Sequence, residues 1–320
     1  MGKREYSPVL ADAALEDDCR QLIRLAVRED LDRAIDWTTV CLIDQARRGR
    51  CDVVPRQTGV CAGLVTVPWI VDEMDADLEF EMLIDDGDPL PVGTPIVRLT
   101  GSARDLLTSE RIILNLISRL CGIATLTQRF TDQLKGTSAR LYDTRKTTPG
   151  QRRLEKYAVR CGGGHNHRTG LFDGFLVKDN HLALGGLMSE SDGGEMRATP
   201  LSPRVAVERA RAWSGGKAEA MKAPEIVEVE VDSLEQLKEV LPALPDIVLV
   251  DNFSLEELRK AVALRNEIAP AVELEASGNV KIDTVREIAM TGVERISSGA
   301  LTHQAVWLDL GMDWAGENAT

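Results

Sequence analysis

The chain has 320 residues, 43% of them hydrophobic and 28% charged, which is ordinary globular usage and excludes a disordered or fibrous protein. Fifty-one acidic against 38 basic residues leave a formal net charge of -13, so no broad face suits nucleic acid or an anionic membrane. Anions are expected only in a local basic pocket.

The N-terminus, MGKREYSPVL, has neither the apolar stretch of a signal peptide nor a Ser or Thr at position 6 for myristoylation. No apolar run approaches the roughly 20 residues that a membrane span needs. The six cysteines (19, 41, 51, 61, 121 and 161) contain no CxxC pair, so reduced thiols in a cytoplasmic protein are expected. Ala14 to Leu31 has helical spacing, with Leu15, Cys19, Leu22, Ile23, Ala26 and Val27 on one stripe. From Gly49 to Gly101 short runs (CDVV, GLVTV, LEFEML, PIVRL) separated by Gly and Pro predict a small antiparallel sheet. Ala103 to Leu134 reads as a long helical region in which Gly122 is a candidate break or kink.

Thereafter strand and helix alternate: ARLYD, then RRLEKYAVR; DGFLV; SPRVAVERARAW, with Ser202 before Pro203; IVEVEV, then the capping box Ser233–x–x–Gln236; DIVLVD, then Ser254–x–x–Glu257; VELEAS and a helix near Asp283 to Met290; and VERISS. Six β-α repeats predict a parallel sheet or an open, incomplete α/β barrel behind an N-terminal α+β domain. The expected boundaries are 1–125 for the first domain and 126–300 for the barrel, with 301–320 returning to the first. The Gly-, Ser- and Ala-rich stretch 185–222 reads as an insertion around one helix, without chemistry.

Strands of a parallel barrel are ordinarily apolar on both faces. Here Glu228 and Glu230 share one face, as do Glu273, Glu275 and Ser277, which predicts a polar interior that pairs with cations or metal. From Arg140 to Lys178 nine basic residues face three acidic ones, a local +6 inside an acidic chain. Arg152, Arg153 and Lys156 fit a solvated helix face. Arg145 and Lys146 after one strand, and Lys178 after the next, stand instead where such folds bind ligands, at strand carboxyl ends. Glu230 and Asp251 each end or nearly end a strand, one repeat apart, placed to share Mg²⁺ or hold ribose hydroxyls. Ser277–Gly278–Asn279 and Ser298–Gly299–Ala300 follow the last two strands, as backbone phosphate loops do. A zinc site from Cys161, His165 and His167 is disfavoured by spacing and by the cationic surroundings.

YDTRKTTPGQRRLEKYAVRCGGGHNHRTGLFDGFLVKDNH (142–181) resembles the signature region of the quinolinate phosphoribosyltransferases. The likeness continues through SERIILNLISRLCGIAT, EVEVDSLEQ, VLVDNFS, LEASGNV and ISSGALTH. The resemblance implies an open α/β barrel and transfer of a phosphoribosyl group from phosphoribosyl pyrophosphate to quinolinate, giving nicotinate mononucleotide, CO₂ and pyrophosphate with Mg²⁺. A relative acting on another base without decarboxylation is the alternative. It implies a homodimer with shared active sites, in which Arg111 serves the partner subunit. By the same correspondence Thr144, Arg145, His167, Arg168 and Lys178 meet quinolinate. Lys146, Glu230, Asp251, the two Ser-Gly loops and His303 lie near the phosphoribosyl and pyrophosphate groups.

Overall fold

The structure, a computed structural model, describes residues 5–186, 188–190, 196–216 and 223–314. It divides into two compact units. The first comprises 8–131, 146–165 and the described residues from 299 to 314. Its sheet contains β1 (Arg48–Pro55), β2 (Leu78–Met82), β3 (Val97–Ser102) and the final strand Leu310–Trp314. The order is final strand, β1, β3, β2, with antiparallel pairing throughout. The C-terminal strand thus returns to the N-terminal sheet, Val53 lying opposite Met312.

Two readings of this unit are corrected. GLVTV is a turn leading into the helix Thr66–Glu73 rather than a strand. Gly63, at φ +102°, and the Thr66 hydroxyl donating to the Gly63 carbonyl turn the chain before a ladder can form. Gly122 does not interrupt the continuous helix Ala103–Leu134. A Cβ there would collide with the Val306 carbonyl, so glycine lets the C-terminal segment cross close to the helix. The helix Arg152–Cys161 also belongs to this unit. Arg119 donates to Glu155 at 2.5 Å and Arg153 to Asp18 at 2.7 Å, which ties 146–165 to the N-terminal helices and away from the expected 126–300 block.

The second unit comprises 5–7, 132–145 and the described residues of 166–298. Its strands are β4 (Arg140–Tyr142), β5 (Phe175–Val177), β6 (Val227–Val231), β7 (Ile247–Asp251), β8 (Glu273–Ser277) and β9 (Arg295–Ser297). They form one parallel sheet in the order β4, β9, β8, β7, β6, β5. All six carboxyl ends therefore lie at the same end.

The sheet curls. Tyr6 donates to Glu228 on β6 while its ring lies 6.0 Å from the guanidinium of Arg295 on β9. Those strands are three places apart, roughly 14 Å if the sheet were flat. Capping supports the outer helices: Ser254 accepts from the Glu257 N–H, and Glu257 accepts from the Ser254 N–H. The 185–222 stretch holds a helix, Pro203–Gly216, and two short antiparallel strands, 188–190 and 196–198. The rest of that expectation (187, 191–195 and 217–222) lies outside the described residues.

Candidate active site

Alternation along the strands puts acids inside the curl, and each is met by a cation or a donor. Glu230 accepts from Lys178 Nζ at 2.7 Å. Glu275 accepts from Arg295 Nε at 2.8 Å, with both side chains fully buried. Arg295 lies over the Tyr142 ring at 3.6 Å, and Arg140 donates to Glu273 at 2.7 Å. Burial pushes the Glu228 carboxyl up, but His167, Arg295 and the Tyr6 hydroxyl outweigh it and hold the group below the usual carboxylate range. The expected polar interior is present, and among the described residues its counter-charges are protein cations.

The loop after β4 carries the first site residues. Asp143 is buried and accepts from Asn166 Nδ2 at 2.7 Å and from the His167 N–H at 2.8 Å, which fastens the GHNHR segment to this strand end. Thr144 and Arg145 follow, both half-buried, and Arg145 Nε is a buried donor with no hydrogen-bond partner. Arg168 is 6% exposed, and no carboxylate pairs with its guanidinium among the described residues. Burial above all, with Arg145 adding to it, pulls its pKa below the ordinary arginine value. The buried guanidinium of Arg168 and the sealed Nε of Arg145, neither with an acid partner among the described residues, could together hold an anion. Lys178 directly follows β5.

Asp251 ends β7 and accepts from Asn252 Nδ2 at 2.7 Å; it lies in register with Ser277 at the end of β8. The next turn has φ +94° at Gly278 and +50° at Asn279. A Cβ on Gly278 would collide with Asn252 Oδ1, so glycine is required there. Ser298 differs from expectation: its N–H is used by the Tyr142 carbonyl at 3.0 Å and its hydroxyl by the Val280 carbonyl at 3.2 Å. Its groups hold the strand end together and are not spare for a phosphate.

The remaining expected residues lie in the other unit. Lys146 is exposed, and its carbonyl accepts from Thr302 Oγ1 at 2.7 Å. A Cβ at Gly299 would meet Lys146 Cδ at 2.8 Å and the His303 ring at 3.2 Å, so the missing side chain makes room for both. Ala300 begins the short helix that ends at His303. Arg111 stands on the long helix with its side chain 71% exposed, 3.2 Å from Glu110. His165 also falls in this unit.

Sequence reasoning missed Tyr6, Asp143 and Asn166. The last two sit inside the signature region and were readable there as polar residues flanking cations; Tyr6 carried no signal.

The quinolinate phosphoribosyl transferase N-terminal domain model matches residues 36–121, and the C-terminal domain model matches 123–313. The chain belongs to the quinolinate phosphoribosyl transferase family. Among curated relatives in this family, a nicotinate-nucleotide pyrophosphorylase [carboxylating] of Mycobacterium leprae is 40% identical over 299 residues, 93% of this chain and 97% of the relative. A probable one from Bacillus subtilis is 38% identical over 263 residues, 82% of each. A solved nicotinate-nucleotide pyrophosphorylase from Francisella tularensis superposes with a TM-score of 0.81 at 32% identity, covering 98% of this chain and all of that one. The Ehrlichia chaffeensis structure gives 0.79 at 34% identity, covering 92% and 98%. These likenesses bear out the expected barrel and α+β domain of the quinolinate phosphoribosyl transferase fold.

Proposed function

We propose that the chain is a decarboxylating quinolinate phosphoribosyltransferase of NAD biosynthesis. It joins quinolinate to phosphoribosyl pyrophosphate and releases nicotinate mononucleotide, CO₂ and pyrophosphate. The observation that carries the site assignment is the pair Arg145 and Arg168. Arg168 is buried and Arg145 is half-buried with its Nε sealed from water; neither has an acid partner among the described residues, and quinolinate brings two carboxylates.

Arg168 and Arg145 grip those carboxylates with their planar forks, and Lys178, oriented by Glu230, adds a third cation. The pyridine nitrogen is the nucleophile, so no general base is required. Held in line with ribose C1, it forms the N–C bond as the pyrophosphate C–O bond breaks. The positively charged ring nitrogen then stabilises the carbanion left at C2 when CO₂ departs, and that carbanion takes a proton. We assign phosphate oxygens to the backbone N–H groups of the Ser277–Asn279 turn, which follows the carboxyl end of β8.

Asp251 ends β7 and Glu230 is the penultimate residue of neighbouring β6; both present only oxygen donors, which fits Mg²⁺. When bound, the ion offsets charge on the departing pyrophosphate.

We further propose a homodimer in which the exposed Arg111 completes the partner subunit's quinolinate pocket. All six thiols are free, which supports a cytoplasmic location. Among the described residues no helix is long and apolar enough to cross a membrane.

The deciding experiment measures CO₂ release from carboxyl-labelled quinolinate with phosphoribosyl pyrophosphate, with and without Mg²⁺, and with nicotinate in place of quinolinate. Mg²⁺-dependent CO₂ release is expected with quinolinate. Ribosylation of nicotinate without turnover of quinolinate sinks the proposal. Mixing Arg111→Ala with Arg168→Lys tests the shared site: regained activity in the mixture is expected, and its absence refutes sharing.

A further inference from the structure

One buried cluster in the barrel unit is not used by the chemistry above. The segment 5–7 belongs to that unit, and Tyr6 is 4% exposed. Its ring stacks on the His167 imidazole with centroids 4.7 Å apart, and its hydroxyl donates to Glu228 Oε2 at 2.8 Å. Glu5 accepts from Arg140, from the Tyr142 hydroxyl at 2.9 Å and from Arg295 at 3.1 Å, which pins the segment to three inward side chains.

The hydrogen bonds assign the state of His167. Nδ1 accepts the Arg168 backbone N–H at 2.8 Å, so it carries no proton. The proton is then on Nε2, which faces Glu228 Oε2 at 3.1 Å and Glu275 Oε1 at 3.4 Å. Both ring nitrogens are engaged by the protein itself. The nitrogen and the two carboxylates lie close enough to share a divalent cation. Arg295 on Glu275 and Tyr6 on Glu228 already supply the donors such an ion would replace.

We infer that Tyr6, Glu228 and Glu275 form a positioning device that holds His167 as the Nε2–H tautomer, so that Nδ1 fixes the backbone of Arg168 and aims its guanidinium. Resting on the reading that Arg168 binds quinolinate, this makes His167 a positioning residue. It also makes the N-terminal segment, remote in sequence, part of substrate recognition. Asp143 secures the same turn from the other side by accepting the His167 N–H.

The test uses the full chain with ¹⁵N-labelled histidine. The chain has four histidines, and His167→Asn assigns the signal. A neutral Nε2–H pattern is expected for His167 in the wild type, with mixed tautomers in Glu228→Gln. The same variant should raise KM for quinolinate about tenfold, one charged hydrogen bond's worth, while KM for phosphoribosyl pyrophosphate stays within about twofold. Tyr6→Phe keeps the ring stack and should show a smaller, parallel rise. A purely structural role would lower thermal stability and active fraction without a selective change in KM.

An Nδ1–H or doubly protonated His167 in the wild type overturns the proposal. So does an unchanged quinolinate KM in both variants when Arg168→Lys raises it. If Arg168→Lys itself leaves that KM unchanged, the substrate assignment has failed and the link to quinolinate falls with it, whereas the NMR pattern still decides the tautomer.

Discussion

Replacing Arg168 separates binding from stability, because the structure makes opposite demands on the two. The residue is 6% exposed and its guanidinium has no acid partner among the described residues, so it costs the ligand-free protein free energy and serves the ligand. Arg168→Lys keeps the charge and loses one arm of the fork. A hydrogen bond to a charged group is worth about 1.5–3 kcal/mol, and about 1.4 kcal/mol is tenfold, so kcat/KM for quinolinate should fall about ten- to a hundredfold. Arg168→Met removes the desolvated charge, and without ligands it should gain about 1 kcal/mol of stability. CO₂ release at saturating phosphoribosyl pyrophosphate with quinolinate varied reads the first effect, and urea unfolding without ligands reads the second. A wild-type quinolinate KM in Arg168→Lys, or an Arg168→Met protein destabilised by several kcal/mol, would refute the reasoning, since the side chain would then be structural.

Arg295→Met strands the fully buried Glu275 and should cost about 3–5 kcal/mol in urea unfolding; Glu275→Gln in the same chain should recover part of the loss. Gly278→Ala forces a side chain into a φ of +94° against Asn252 Oδ1, and should lower stability by about 1–3 kcal/mol while raising KM for phosphoribosyl pyrophosphate. Glu228 is held below its unfolded value, so its stabilisation is complete above about pH 4.3 and is lost as pH falls through the lower folded value; acid titration of the urea midpoint should show that slope in the wild type and a shallower one in Glu228→Gln. Burial pushes the Cys19, Cys51 and Cys161 thiols up to about 12, whereas Cys41 is exposed, so a thiol reagent near pH 7.5 should label Cys41 first; rapid labelling of Cys161 would contradict the packing.

Much of the site was legible because strand ends in a β-α repeat are predictable from local pattern. Lys178 after FLV, Asp251 closing IVLVD and Ser277 closing ELEAS were placed without knowing how the strands pair. GLVTV and Gly122 misled for a related reason. Each was read from its own neighbours, whereas a positive φ at Gly63 and the crossing of Val306 decided the outcome.

The order of the barrel strands, the caps and the acid-bearing faces of those strands are properties of adjacent residues, and the amino-acid chain alone determined them. Which cation meets which acid was decided only by the curl of the sheet. That curl joins Tyr6 to Glu228 across 222 positions and Arg295 to Glu275, and it leaves Arg168 without a carboxylate among the described residues. Charge in a chain can be counted, but its neutralisation depends on distances of about 3 Å between residues that the chain itself keeps far apart.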